Sequence, residues 1–228
     1  MKVTLSLEET TSDDISIMVD ALRASSTITV ALNNFKKIIP CFTPEEAFKL
    51  KDETHGILAG ERGGKKIEGF DIGNTPTGIS RLECEEDILI LTTNNGTRIL
   101  EKMNSKVLVG SLINAKACGI AGLELAKDHI DVVMAGVNGE FAIEDYLVAG
   151  EILYQIRENT KDCDLSEYAQ SAILASRDFN NLKKAFTNSR TAKRLKELGY
   201  GEDVKYCCQK NINDNVAIYN NKELNLYI

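Results

Sequence analysis

The chain has 228 residues, 43% of them hydrophobic and 27% charged, with a formal net charge of −7. That is length for one large α/β domain or two small ones, and too acidic a balance for nucleic acid, which needs a basic stripe to displace counterions. No run approaches the roughly 18 apolar residues of a membrane helix and the N-terminus lacks an apolar signal core, so a cytoplasmic protein with no membrane partner is expected.

Residues 15–19 read as a strand ending in Asp20-Ala21-Leu22-Arg23-Ala24-Ser25-Ser26, and from about Ala24 the spacing of Ile28, Leu32 and Phe35 is helical. A second strand, 37–42, leads through Thr43-Pro44-Glu45-Glu46 into a helix, with a cap, a proline at the first position and acids in the first turn. The third, 56–59, runs into residues 60–76, where five glycines are interleaved with three acids and three bases; this reads as a long irregular loop. The fourth, 88–91, is followed by Thr92-Thr93-Asn94-Asn95-Gly96-Thr97-Arg98, with a helix opening at Thr97. Those hydroxyls, amides, N–H groups and one guanidinium suit a phosphate. They equally suit an ordinary turn capped by Thr97.

The fifth strand, 106–109, ends in Gly110-Ser111 before a helix near Asn114. The sixth, 131–135, ends in a glycine-containing loop through Glu140, followed by a long helix to about Glu158 with Glu144 and Asp145 in its first turn. Beyond Thr160 come helical segments at 164–176, 179–186 and 189–198, a strand at 204–208, and a hairpin or edge strands around Asn220-Asn221. The six cysteines show no pair at the two-residue spacing of zinc or redox sites and read as buried free thiols; Cys207-Cys208, in that strand at 204–208, would point to opposite sides.

Alternation of strands and helices from 15 to 158 predicts an α/β fold, a largely parallel or mixed sheet with helices on both faces. We expect one domain over 1–228, with a βα core to residue 160 and a helical and β-hairpin extension from 161. Ligands of such sheets bind beyond the carboxyl ends of the strands, where every unusual polar cluster falls. Pooling these loops gives carboxylates Asp20, Glu61, Asp71, Glu140 and Asp145, guanidinium groups Arg23, Arg62 and Arg98, and neutral donors Ser25, Asn74, Thr93, Asn95, Thr97, Ser111 and Asn114. Individually Asp20 could cap a helix, Glu61 could pair with Arg62 or Lys65, and each arginine could be a surface charge. Carboxylates approach a phosphate only when protonated or bridged by a cation, and with two histidines in the chain the expected cation is oxygen-held Mg²⁺. The expected reacting groups are Asp20, Arg23, Glu61, Arg62 and Asp71, the metal ligands Asp20, Glu61, Glu140 and Asp145, and the anion cradle Asn95, Gly96, Thr97 and Arg98. No cysteine, histidine or serine stands beside an activating base, which leaves metal-activated water or an aspartyl-phosphate. The residues alone thus indicate an Mg²⁺-dependent enzyme for a small phosphorylated acid, or a non-catalytic binder of one.

Three blocks, Val19-Asp20-Ala21-Leu22-Arg23-Ala24-Ser25-Ser26-Thr27-Ile28, residues 59–76 and Asn95-Gly96-Thr97-Arg98, resemble the 2-phosphosulfolactate phosphatases. Gly110-Ser111 with Asn114-Ala115, Glu144-Asp145 with Ala149-Gly150, and Ser189-Arg190 with Lys193-Arg194-Leu195 follow in family order. The resemblance implies an Mg²⁺-dependent hydrolysis of 2-phospho-3-sulfolactate to 3-sulfolactate and phosphate, a step towards coenzyme M, by a homodimer of family-specific α/β topology. The chain departs from the family at Thr75, usually serine, at Asn94, often a hydroxyl residue, and at Val148, where many relatives carry cysteine; the last argues against a cysteine nucleophile.

Overall fold

The computed structural model describes residues 1–83, 85–100 and 103–228, with the backbone alone of Thr97 and Arg98. Along the chain come β1 (Lys2–Leu7), β2 (Ile15–Val19), α1 (Ala24–Ala31), β3 (Lys37–Cys41), α2 (Pro44–Thr54), β4 (Ile57–Arg62), β5 (Lys65–Lys66), α3 (Pro76–Ile79), β6 (Ile88–Thr92), α4 (Gly96–Leu100) and β7 (Lys106–Gly110). A short 3-10 turn, Leu112–Asn114, then leads into α5 (Ala115–Leu125), β8 (His129–Met134), α6 (Ile143–Glu158), β9 (Asp164–Leu165), α7 (Glu167–Ser176), α8 (Phe179–Thr187), α9 (Arg190–Glu197), α10 (Gly201–Cys207), β10 (Ala217–Asn220) and β11 (Glu223–Leu226).

The strands join in one open mixed sheet of order β5-β4-β6-β3-β11-β10-β7-β2-β8-β1-β9. Period-two alternation divides each central strand between two cores. Ile17 and Val19 of β2, Leu108 of β7 and Val132 of β8 face α5 and α6. Met18, Val107 and Val109, and Val133 turn the other way, towards the side that holds α1 and receives Leu89 and Leu91 of β6. All eight residues of α1 are buried, among them the hydroxyl residues Ser25, Ser26, Thr27 and Thr29.

Three features differ from the sequence expectation. The terminal strands are a hairpin, turning at Asn221 and Lys222 with φ of 50° and 65°, the left-handed pair of a tight two-residue turn. They lie at the centre of the sheet rather than its edge, with β10 antiparallel to β7 and β11 antiparallel to β3. The sheet is therefore two parallel halves, β7-β2-β8-β1 and β3-β6-β4, running in opposite senses. Opposite connectivity does not separate their carboxyl ends. Five pairings lie between β2 and β6, and at about 20–25° of twist per step the strand direction turns by roughly 100–125°, which brings the two sets of carboxyl ends back towards one side. Accordingly Gly96, after β6, sits so close to the turn after β2 that an added Cβ would lie 2.7 Å from Ala24 Cβ and 3.0 Å from Asp20 Oδ2.

The second difference is at residues 204–208, which are helical: Val204, Cys207 and Cys208 are buried at i, i+3 and i+4 spacing. Residues 60–66 are also more regular than a loop. Strand β4 continues to Arg62 and returns as β5 through Gly63 and Gly64, whose φ values of 59° and 85° are those glycine tolerates. The cysteines other than Cys84, which lies outside the described residues, are free.

Candidate active site

The turn after β2 is closed locally. The Asp20 N–H donates to Ser25 Oγ at 2.9 Å and the Ser25 N–H to the Asp20 carbonyl at 3.0 Å, fixing where α1 begins. Asp145, in the first turn of α6, fastens this turn to the one after β8: Oδ1 accepts from the Ala21 N–H at 2.8 Å and Oδ2 from the Gly136 N–H at 3.0 Å. Glu61, at the end of β4, does the same for the other half-sheet, accepting from the Gly64 N–H at 2.7 Å and the Asn94 N–H at 2.9 Å. Each loop is thus held by a buried carboxylate bonded to backbone donors, an arrangement that needs no flexible partner to stay in place.

Arg23 is buried between the halves. Nη1 donates to Asp203 Oδ2 and Nη2 to the Gly64 carbonyl, both at 2.9 Å, and the guanidinium lies 4.2 Å from the centre of the Tyr200 ring. Asp203 Oδ1 in turn accepts from the hydroxyls of Thr75 and Thr77 at 2.9 and 2.6 Å. Asp20, Arg23, Glu61 and Asn74 are the buried groups lining a cavity of about 360 Å³, with Asn95 beside them and α9 forming part of the rim through Arg190, Thr191 and Arg194. A neighbouring cavity of about 310 Å³ shares Val137, Arg190 and Thr191 with the first and is lined also by Glu140.

The floor is electrostatically unbalanced. Burial, then the charge of Glu61 and more weakly that of Glu144, pushes the Asp20 carboxyl up from 3.8 to about 7 against two backbone N–H groups, of Ala24 and Gly96, that work the other way. Burial, followed by Asp20 and Glu144, likewise holds Asp145 well above the usual carboxylate range. The guanidinium beside them is already committed to Asp203. Among the described residues no three His, Cys, Asp or Glu side chains are grouped to hold a metal ion by themselves. The donors present nevertheless suit a hard cation that binds through one or two carboxylates and fills its shell with water and ligand oxygens: Asp20 and Glu61 face the cavity, and Asn74 Oδ1 is a buried acceptor with no partner among the described residues.

Several expected site residues stand elsewhere. Arg62 points off the site, donating to the Glu61 and Phe42 carbonyls at 2.7 and 2.6 Å and to Thr92 Oγ1 at 2.9 Å. Asp71 lies beside the start of β4, about three residues or 10 Å along the strand from Glu61. Its Oδ2 accepts from Lys51 Nζ at 2.7 Å and the Leu58 N–H at 2.8 Å, which outweigh partial burial and keep the carboxyl below its ordinary value. Glu140 pairs with Arg190 at 2.7 Å on the rim, not with Asp20 and Glu61. Asp145 is buried behind the Asp20 turn and is not among the cavity's lining residues. Ser111 and Asn114 cap each other, with Oδ1 of Asn114 accepting from the Ser111 N–H and hydroxyl at 2.8 Å. Thr93 and Ser25 are buried under the loops, and Gly96 lets α4 approach Asp20. The side chains of Thr97 and Arg98 lie outside the described residues. The residues that sequence reasoning leaves out of the site are Asp203, Arg190, Thr191 and Arg194. Arg190, Thr191 and Arg194 belong to a basic helix with Ala192 and Leu195 buried, whose charges carry no local mark of the cleft, and Asp203 lies in α10, just before the expected strand at 204–208. Burial pushes the thiols of Cys41 and Cys207 up to about 12 and that of Cys208 to about 11, where they are inert as nucleophiles.

An open mixed α/β sheet whose loops converge on a polar cleft, with buried carboxylates below and arginines around it, has the architecture of an α/β protein with a small-molecule site at its strand ends. Comparison with known proteins makes this particular. A family model described as 2-phosphosulpholactate phosphatase matches residues 2–222, and the chain belongs to that family and hence to the phosphoric monoester hydrolases. It is 45% identical to the 2-phosphosulfolactate phosphatase of Methanothermobacter thermautotrophicus over 99% of this chain and 96% of the relative. Probable 2-phosphosulfolactate phosphatases of Clostridium acetobutylicum and Clostridium perfringens strain 13 are each 37% identical, over 95% of this chain and 94% and 90% of theirs. No helix among the described residues is long and apolar enough to cross a membrane.

Proposed function

We propose that the chain hydrolyses 2-phospho-3-sulfolactate to 3-sulfolactate and phosphate, with Mg²⁺ held by Asp20, Glu61 and the Asn74 carbonyl. The observation that carries this reading is the surplus of buried carboxylate charge facing a cavity that must receive a polyanion. A bound Mg²⁺ would supply charge neutralisation of the phosphoryl oxygens and acidify a water. The chain's own groups do the rest. Arg23, immobilised by Asp203 and Gly64, orients the phosphate; Asn95 at the β6 loop gives amide donors; Gly96 keeps the approach to Asp20 free of a side chain. In the reaction a water oxygen bonds to phosphorus, the ester P–O bond breaks, and the leaving alkoxide takes up a proton while the water gives one.

Phosphate release from phosphosulfolactate, measured with Mg²⁺ and in excess chelator, tests the proposal. Undiminished release in chelator would remove the metal. Calorimetric titration of Mg²⁺ supplies a readout independent of turnover: wild type binds it, and Asp20→Asn and Glu61→Gln bind it at least about tenfold more weakly. Tight binding of the ester without turnover would favour a non-catalytic binder instead. The same reading carries with it a cytoplasmic homodimer acting on the way to coenzyme M, and light scattering that returned a monomer mass would remove the dimer.

A further inference from the structure

The cavity has two kinds of positive charge. Arg23 sits in the floor with only 2% of its side chain exposed, locked to Asp203. Arg190 and Arg194 stand on the rim with 68% and 56% of their side chains exposed. They are four residues apart on α9, so they project from one face of the helix, and both line the cavity together with Thr191 between them. Among the described residues their ion pairs are surface ones, Arg190 with Glu140 at 2.7 Å and Arg194 with Glu197 at 3.7 Å. Such pairs are weak and exchange readily for a better anion. The Arg190–Glu140 pair also stands where the main cavity meets its neighbour, so its opening would free the guanidinium at the mouth of the cleft.

The substrate of the proposed reaction matches this division. Its central carbon bears three branches, the carboxylate directly, the phosphorus through an oxygen and the sulfonate sulfur through a methylene, so phosphate and sulfonate extend from that carbon in different directions. With the phosphate at Asp20 and Arg23 and the carboxylate beside it, the sulfonate reaches towards the rim. A sulfonate stays ionised, carries three acceptor oxygens and meets two guanidinium forks with parallel N–H bonds. The floor's guanidinium is taken by the phosphate and by Asp203, and the carboxylates that remain there repel a second anion.

We infer that Arg190 and Arg194 are the sulfonate-specificity residues of this enzyme, and that Arg190 reaches the ligand by leaving Glu140. This rests on the phosphosulfolactate reading above. Glu140, expected from sequence to ligate metal, is then a competitor for Arg190.

The test compares two substrates, phosphosulfolactate and 2-phospholactate, which lacks the sulfonate and keeps the carboxylate. Wild type should prefer phosphosulfolactate in kcat/KM. In the double variant Arg190→Gln, Arg194→Gln, KM for phosphosulfolactate should rise about 10- to 100-fold with kcat changed less than about threefold, and kcat/KM for phospholactate should fall by less than about threefold. Arg194→Lys should recover part of the loss in a single-variant comparison with Arg194→Gln. Glu140→Gln should lower KM for phosphosulfolactate by about two- to fivefold. Equal losses on both substrates would overturn the inference and leave the hydrolase standing, because the arginines would then act as general positive charge. Equal use of the two substrates by wild type would overturn it too. Phosphate release from neither substrate would overturn the function reading, and this inference with it. Since both arginines are largely exposed, thermal melts of the variants should stay within a degree or two of wild type.

Discussion

Asp20→Asn should stabilise the metal-free protein at alkaline pH while removing its activity. With the carboxyl raised from 3.8 to about 7, the folded chain retains a proton that the unfolded chain has released between those values. The folded state then binds more protons, so stability falls as pH rises from about 4 to about 7 and is level above. About 3 units at about 1.4 kcal/mol each cost the folded wild type about 4 kcal/mol at pH 8. An amide oxygen accepts poorly from both N–H groups now facing the carboxylate, Ala24 and Gly96, and that loss is about 1–2 kcal/mol. The net gain for Asp20→Asn in chelator at pH 8 is about 2–3 kcal/mol, or about 4–12 °C in Tm for a chain of this size. At pH 4.5 the wild-type carboxyl is protonated in the folded state, and the variant should be no more stable than wild type. Denaturant and thermal unfolding at the two pH values, with chelator present, measure the difference. Mg²⁺ should then raise the Tm of wild type at pH 8 and leave that of the variant nearly unmoved. A variant less stable than wild type by the same margin at both pH values would refute the reasoning, for it would mean that Asp20 is ionised and neutralised in the fold without a cation.

Gly96→Ala should cost about 1–3 kcal/mol by overpacking and raise KM, and the second substitution Ala24→Gly should restore most of both, because the Ala24 methyl is the nearer obstacle at 2.7 Å; no recovery in melts or kinetics would place the obstacle elsewhere. Asp203→Asn keeps the shape and removes the charge facing Arg23, whose side chain and its partner's are 2% and 1% exposed, so a destabilisation of about 3 kcal/mol and a raised KM are expected; an unchanged melt would show the pair to be replaceable. Arg62→Gln should lose about 1–3 kcal/mol in its bonds to the Glu61 and Phe42 carbonyls with kcat/KM within about fivefold of wild type, and a hundredfold loss would return Arg62 to the reaction.

What local pattern could reveal of the site was the set of loops that follow strands: Asp20, Arg23, Glu61, Asn74 and Asn95 stand at the ends of apolar runs and line one cavity. Arg62 failed for a reason that is also local. Glu61 and Arg62 are successive residues of β4, and successive strand residues point to opposite faces, so both could not enter the cleft; treating 60–76 as an irregular loop hid that alternation. The α9 arginines and Asp203 were hidden differently. The helix of the arginines is legible, whereas that of Asp203 reads as a strand from 204; in both cases the surface the helix covers is decided by packing, here Leu195 and Val204 against Leu22 and Tyr200, and no spacing within the helix encodes that. The direction of the sheet was less legible still. Strand–helix alternation is satisfied by each parallel half alone, and the reversal between them is made by a hairpin more than a hundred residues from either loop it serves. That reversal has a functional consequence. Had the halves been joined as one parallel sheet, the ends of β2 and β6 would have diverged under the accumulated twist; joined head to tail through β10 and β11, the twist turns them towards each other. The C-terminal hairpin, none of whose residues is among those lining the cavity, is thus what sets Asp20 of one half against Glu61 and Gly96 of the other.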